Sequence, residues 1–458
     1  MEFVKNQHIE IEITGMSADG NGIGRVSGMA VFVPKTAVGD IAKVQIVKVC
    51  KNYLVGKAIE FLRLSDQRLK PDCKAAVDCG GCAFRHISYE SECKIKYDRV
   101  ADCMRRIGGV DTKPEAVLAA ANTEGYRNKA QMPVGRDQDG NLKIGFYAPR
   151  SHRIADCRDC RLQPAEFKTI IRIFAAYIQK YNVSVYEEST GRGLVRHLYL
   201  RKAFGTGQIM VCVVINGQAL PKSSALVETL THEISDISGI LININRKPTN
   251  VVLGSEYKVL YGNDKLEDEL CGTKFLLSPA SFYQVNHAQA TRLFEKVVEL
   301  AAPGEQDIVL DLYCGIGAIG LVTAGKRKFK KLIGVEVVPE AVEDAKRNAR
   351  NNGIQNTEFL CNDALEAAKL LARRGERPDI VVVDPPRKGC DKELIEIITK
   401  RMIPRKVVYV SCDPATLARD IAEFRKLGYR LERAVPVDMF PRTPHVETAA
   451  LILRDEKV

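Results

Sequence analysis

Two groups of residues have the types and spacing to do chemistry. The first is Cys412, which follows a β-branched and aromatic run, VVYVS at 407–411, and precedes Asp413-Pro414 and a helical pattern. A strand that hands over to a helix at a thiol places it at the strand's carboxyl end, where open α/β sheets carry reactive groups. Beside a helix N-terminus its pKa is expected to fall, which would make it a better nucleophile. A thiol at a strand end can equally be a buried packing residue. The second group is Cys73-x5-Cys79-Gly-Gly-Cys82. Three thiols this close can surround one metal centre, because the glycines let the backbone wrap tightly. The fourth ligand has two candidates, Cys157 and Cys160 in RIADCRDCRLQ. Zinc also accepts four cysteines, so the spacing leaves zinc and an iron–sulfur cluster open.

Composition bounds what can position these groups. The 458 residues suffice for about two to four domains with their own cores. A hydrophobic content of 45% with 27% charged residues is that of a globular protein. The net charge of +11 makes nucleic acid the leading polyanionic partner, although it also serves solubility. Apolar runs such as 209–215 are strand-sized, so no membrane span is expected. Fourteen cysteines with no apolar leader at MEFVKNQHIE imply a reducing, cytoplasmic setting. Metal or catalytic thiols are then favoured over disulfides.

Residues 1–62 read as a small all-β module, with strands at 8–13, 30–33, 41–49 and 53–59 between Gly- and Asp-rich turns. Five short strands at this spacing suit a closed barrel of the oligonucleotide-binding type. The motifs G-IGR, VFVP and GD resemble those of a TRAM domain, with Arg25, Lys35, Lys48 and Lys51 available for RNA. A spacer barrel without a ligand is the alternative. Residues 63–270 read as a central α+β domain. A helix at 88–106 carries Cys93 and Cys103 on an amphipathic pattern, expected to pack, with the catalytic domain as a candidate surface. Its Lys94, Lys96, Arg99, Arg105 and Arg106 are expected to face phosphate or water. A hairpin at 125–160, turning at Asp139-Gly140, interleaves Arg127, Lys129, Arg136 and Lys143 with Tyr126, Phe146 and Tyr147. Cations beside aromatics suit splayed single-stranded RNA, and a solvated hairpin face is the alternative.

From residue 271 strands alternate with helices. DIVLDLYCGIGAIG at 307–320 gives a strand, an acidic residue and a Gly-rich turn into a helix. Gly315-x-Gly317-x-x-Gly320 lets backbone approach a cofactor, and Glu336 ends the next strand about twenty residues on, placed to accept from ribose hydroxyls. Asp363, after the third strand, is placed for an adenine amino group. GxGxxG alone does not separate a dinucleotide from S-adenosylmethionine. Asp384-Pro385-Pro386 after the fourth strand does, because a loop of this kind serves nucleic-acid methyltransferases and dehydrogenases have no need of it.

Together these residues resemble the RNA uracil-5-methyltransferases of the TrmA/RlmD type over nearly the whole chain. The motifs are FYQVN at 282–286, DLYCGIG at 311–317, DPPRKG at 384–389, VSCDPATLARD at 410–420 and DMFPRTPHVETAAL at 438–451. The resemblance implies three parts: an OB-like TRAM barrel at 1–62, a central α+β domain with an Fe–S site at 63–270, and a Rossmann-like class I methyltransferase domain at 271–458. It implies S-adenosylmethionine held by Gln284, Tyr313, Glu336 and Asp384, with Asp363 as a further candidate. Ala318 stands where some members carry Asn, which puts a cofactor contact there in doubt. The TRAM-like module and the cysteine motif point to the branch acting on 23S rRNA. In that branch Cys73, Cys79, Cys82 and Cys160 would hold a [4Fe–4S] cluster, and Cys157 has no assigned role. A monomer is expected.

The implied chemistry accounts for the residue types. Uracil C5 is too weak a nucleophile to take a methyl group from a sulfonium until a thiolate adds to C6. The adduct must then lose its C5 proton to a positioned base before the thiol can leave. Cys412 would be the nucleophile and Glu447 the base, with Asp413, Arg387 and His445 as orienting candidates. The base must be flipped out of any stack, with Gln131 and Phe146 as possible contacts. The alternatives are a tRNA T-loop methyltransferase and a non-catalytic iron–sulfur RNA-binding or ribosome-assembly factor.

Overall fold

The computed structural model describes residues 3–455. The first unit is a six-stranded sheet of β1 (His8–Glu12), β2 (Gly15–Met16), β3 (Gly22–Val26), β4 (Met29–Val33), β5 (Ile41–Val49) and β6 (Tyr53–Arg63). Period-two burial of Ala42, Val44 and Ile46 on β5 builds its core with Ile11, Val31 and Leu54. Gly24 is required where β3 crosses β1, since a Cβ there would stand 2.6 Å from the Glu12 carbonyl oxygen. The strand order is β1-β5-β6-β4-β3-β2. Six strands form where five were expected. Among the described residues no ladder joins β1 to β2, so the pairing does not show the closed ring of the expected barrel.

Next comes α1 (Tyr89–Arg106), capped by Ser88, whose side chain accepts from the Ser91 N–H. Its buried stripe is Glu92, Lys96, Val100 and Met104, each one turn from the next. Lys96 therefore does not face phosphate or water as expected; it is fully buried with a carboxylate partner on the same stripe.

A seven-stranded sheet follows. It contains β7 (Lys129–Arg136), β8 (Leu142–Tyr147), β9 (Ile154–Asp156), β10 (Val195–Lys202), β11 (Ile209–Ile215), β12 (Ile237–Ile244) and β13 (Glu256–Gly262). β7 and β8 form the expected hairpin, with Gly140 at φ +81° in its turn. α2 (Ala165–Lys180) and α3 (Ser223–Glu233) cover one face and bury Phe167, Ile170, Phe174 and Leu226 there.

After the hairpin of β14 (Leu266–Leu270) and β15 (Thr273–Leu277), α4 (His287–Ala301) leads into an α/β unit. Its elements alternate: β16 (Ile308–Leu312), α5 (Ala318–Lys326), β17 (Lys331–Glu336), α6 (Pro339–Asn351), β18 (Thr357–Cys361) and α7 (Ala364–Arg373). Then come β19 (Ile380–Val383), α8 (Lys392–Ile397), β20 (Lys406–Ser411), α9 (Pro414–Lys426), β21 (Tyr429–Val437) and β22 (Glu447–Arg454). The order is β18-β17-β16-β19-β20-β22-β21, parallel through β20, with β22 antiparallel between β20 and β21. The order of strand addition reverses between parallel β16 and β19, and a crevice at such a point takes a ligand beyond the carboxyl ends of the strands. Helices cover both faces, so 380–383 and 407–410 are buried throughout. No helix among the described residues is long and apolar enough to cross a membrane.

Candidate active site

Antiparallel β22 does for this site what parallel strands could not. Ser411 pairs with Thr448, so the register carries Cys412, one residue past β20, to a place opposite Glu447, the first residue of β22. Directly opposed residues lie about 5 Å apart at Cβ. A thiol and a carboxyl 35 residues apart in sequence, 447 minus 412, thus meet at the sheet's reactive edge.

The electrostatics there reverse one expectation. Burial pushes the Cys412 thiol up to about 11, and the Glu447 and Asp384 carboxyls add to the rise against the opposing Arg387. The expected benefit of the helix N-terminus is absent because Asp413 already occupies it. The Asp413 carboxylate accepts from the N–H groups of Ala415 at 2.9 Å and Thr416 at 3.0 Å, and its charge offsets the end of the α9 dipole. Glu447, 4% exposed, is itself pushed up to about 8, by burial first and then by Asp384. Burial raises Asp384 to about 7. Exposed Arg387 is the cation that faces this acidic group, and His445 has its pKa lowered by partial burial of its ring and then by Arg387.

The cofactor candidates line the ends of neighbouring strands. Tyr313, Gly315 and Gly317 all adopt left-handed backbone, so the turn after β16 folds sharply into α5. A Cβ on Gly320 would stand 2.9 Å from both Asp311 Oδ2 and a Leu332 methyl, which makes the third glycine obligatory for packing. Asp311 Oδ2 accepts from the Gly320 N–H at 2.9 Å, whereas its buried Oδ1 has no partner. Burial pushes this carboxyl up to about 7. Glu336 accepts from the N–H groups of Gly315, Val337 and Val338 at 2.9–3.0 Å, which fixes its direction at the end of β17. Exposed Asp363 caps α7 through one oxygen. Gln284 is anchored through its carbonyl, which accepts from Asn128 Nδ2 at 2.9 Å. A glycine cradle, a fixed acidic side chain and an orphaned buried acceptor suit a nucleoside carrying a cationic amino-acid tail.

The four cysteines expected to bind metal are brought to one region. Asp72, beside Cys73, pairs with Arg85 at 2.6 Å and with Arg161, beside Cys160, at 2.5 Å. Glu124 holds both arginines, at 2.6 and 2.9 Å, so this network clamps the two cysteine-bearing segments together. Cys82 lies in the field of Cys160, Cys79 and Cys73. Cys157, which had no expected role, lies within hydrogen-bond reach of Cys79 and Cys160. Among the described residues, however, no group of three or more Cys, His, Asp or Glu side chains is arranged to hold a metal ion. The thiols converge but do not form a ligand cage.

A family model described as tRNA (uracil-5-)-methyltransferase matches residues 89–455, and a TRAM-domain model matches residues 3–59. The chain belongs to this family of RNA uracil-5-methyltransferases. A crystal structure of the Pyrococcus abyssi tRNA (uracil-54, C5)-methyltransferase, in complex with S-adenosyl-L-homocysteine, is similar with a TM-score of 0.78. It is 28% identical and covers 97% of this chain and 99% of its own. A Clostridium tetani protein named an uncharacterized RNA methyltransferase is 44% identical over 98% of this chain and 96% of its own. A Staphylococcus epidermidis protein of the same description is 37% identical over the full length of both.

Phe282 and Arg201 were not anticipated as residues of the site. Phe282, two residues before Gln284, is a large aromatic side chain that is 70% exposed. Of the two expected base contacts, Gln131 is exposed, but Phe146 packs against the central core because its sheet face is covered. β7 is stitched to the FYQVN loop: the Asn128 N–H donates to the Val285 carbonyl, and Arg127 bridges Asn286. Lys129 faces Arg201 directly across the β7–β10 ladder. Burial, Arg201 and Arg127 push Lys129 down to about 8, and fully buried Arg201 has Nε and Nη2 unpartnered. A spacing pattern of basic residues could reveal Arg127 and Lys129, but not the ladder that adds Arg201.

Proposed function

We propose that this protein methylates C5 of a uridine in RNA, using S-adenosylmethionine, with 23S rRNA as the substrate. The observation that carries the reading is the placement of Cys412 opposite Glu447 across the β20–β22 ladder, beside the glycine cradle. Bound S-adenosylmethionine would supply the methyl group on a sulfonium, and Glu336, Asp384, Tyr313 and Gln284 are the residues to hold it, with Asp363 at the adenine end.

Cys412 loses its proton to water and its sulfur bonds to uracil C6, which turns C5 into an enolate carbon. C5 takes the methyl group from the sulfonium, whose sulfur keeps the electron pair. Glu447 removes the C5 proton, the C5–C6 double bond re-forms, and the C6–S bond breaks to release Cys412. The target base reaches this edge only when flipped from its stack. Incubation with methyl-labelled S-adenosylmethionine and transcripts of 23S rRNA and tRNA is expected to label uridine C5 in the ribosomal transcript. Absence of transfer to either RNA would sink the reading. Transfer to the T-loop alone would establish the second reading, which the similar Pyrococcus abyssi tRNA enzyme favours.

Cys73, Cys79, Cys82 and Cys160 are proposed as ligands of a [4Fe–4S] cluster, supported by the Asp72–Arg85–Glu124–Arg161 clamp that gathers their segments. Anaerobically purified protein is expected to contain iron and inorganic sulfide in equal amounts. Zinc without sulfide, or neither element, would remove this assignment.

A further inference from the structure

One face of α1 presents Tyr89, Glu92, Lys96 and Arg99, spaced three, four and three residues apart and hence aligned along the helix. This face touches two things. The first is the loop at 438–446, which joins β21 to β22 and delivers Glu447. Lys96 Nζ donates to Asp438 Oδ1 at 2.6 Å and to the Phe440 carbonyl at 3.2 Å. Glu92 pairs with Lys96 at 2.6 Å and accepts from the Arg442 N–H at 2.8 Å, while the Tyr89 hydroxyl donates to Asp438 Oδ2 at 2.6 Å. The Arg442 backbone is held here at φ +71°, a conformation a free loop would seldom keep.

The second is the start of α9, immediately after Cys412. Arg99 Nη1 donates to the Pro444 carbonyl at 3.0 Å, and Nη2 lies 3.9 Å from Asp413 Oδ2. One guanidinium thus spans the loop that ends at Glu447 and the residue that follows Cys412. Below it, Val100 and Met104 share a core with Leu417 and Ala418 of α9. Arg425 of α9 closes the contact by donating to the Gly108 and Gly109 carbonyls at 3.0 and 2.6 Å.

Lys96, Glu92 and Asp438 have fully buried side chains. A buried ion cluster is a poor source of stability, since desolvation offsets its attraction, but its directional hydrogen bonds define one geometry. We infer that this face of α1 is a positioning device that sets the loop of Glu447 against the helix of Cys412, with Arg99 as the residue that ties the two together. The inference rests on the reading of Cys412 and Glu447 as the reacting pair.

Arg99 and Asp413 are the residues to test, because Lys96→Met would strand two buried carboxylates and endanger folding. Arg99→Ala, Arg99→Lys, Asp413→Asn and the Arg99→Ala/Asp413→Asn double variant are compared with wild type. Asn retains the helix cap while removing the charge that faces Arg99. Arg99→Ala is expected to lower kcat by about tenfold to a hundredfold, the scale of a misplacement of about 1 Å, with S-adenosylmethionine affinity unchanged. A denaturation-resistant protein–RNA adduct should build up during its turnover, since the misplaced base removes the C5 proton slowly. Arg99→Lys should recover part of the rate, because an ammonium cannot span both partners as a guanidinium fork does. The double variant should be no slower than Arg99→Ala. A kcat for Arg99→Ala within about threefold of an active wild type overturns the inference alone, being far below the expected misplacement cost. So does a fall in kcat matched by a fall in cofactor affinity. A wild-type protein that transfers no methyl group overturns the reading of the pair and this inference with it.

Discussion

A thiol pushed up to about 11 is almost wholly protonated at neutral pH, so Cys412 as the proposed nucleophile would react only when the charges around it change. Two of its three chief perturbations come from burial and from Glu447, and a sulfonium placed beside Asp384 would favour the ionised forms of all three groups. Glu447→Gln tests this in two ways. The variant should form the adduct at C6 and transfer the methyl group but fail to remove the C5 proton, leaving a protein–RNA species stable on a denaturing gel. If no such species accumulates, Glu447 is not the base. Stability gives the second readout. The folded pKa of Glu447, about 8, lies above its ordinary value of 4.5, so between these limits the unfolded chain releases a proton that the folded one keeps. Its burial therefore costs stability progressively as pH rises across that window. At about pH 8.5 Glu447→Gln should be more stable than wild type by on the order of 4–5 kcal/mol, and at about pH 4 the two should match. Denaturant titrations at both pH values check this, and equal stability at both would contradict the protonated, buried carboxyl.

The elements explain why some of the site was readable in the amino-acid sequence and some was not. The strands ending in Glu336, Asp384 and Cys412 are short β-branched runs closed by an acidic residue or a thiol and followed by a helix signal, and they fold as that local pattern dictates. Asp413, an orienting candidate from the sequence, is a helix cap of the ordinary Asx kind and also the residue facing Arg99. What was not readable depends on distant partners. Lys96 looks like any surface lysine until Asp438, 342 residues away, is brought against it. Cys412 stands next to a helix start, and tertiary packing turns its pKa upward, through burial first and then through Glu447 and Asp384. Phe146 alternates with basic residues as an RNA-facing aromatic would, yet its face of β8 meets the core beneath α2. The antiparallel insertion of β22, which brings Glu447 opposite Cys412, carries no local signal at all. An apolar run such as 447–454 reads the same in either direction of pairing.

At the scale of the molecule, the net charge of +11 matters by where its cations lie. Many basic side chains are neutralised in place; Lys369, for example, pairs with Glu366 at 2.9 Å and Glu393 at 3.0 Å. Arg127, Lys129 and Arg201 form the opposite arrangement. Lys129 and Arg201 are like charges opposed across a ladder, a destabilising pairing; Arg201 is fully buried, and half-buried Lys129 is the one a phosphate could reach. They border the loop that carries Gln284, so a phosphate seated there would lie next to the flipped nucleotide. RNA affinity should therefore fall steeply with salt, and Lys129→Ala should make the logarithmic slope shallower by about 0.7, the contribution of one single-strand phosphate contact. Lys369→Ala, whose charge is already paired, should leave the slope as it is. Fluorescence-anisotropy titrations of a labelled RNA fragment over a range of salt concentrations measure both slopes. Equal slopes for wild type and Lys129→Ala would mean that the strand leaves this stripe empty and enters the cleft by another route.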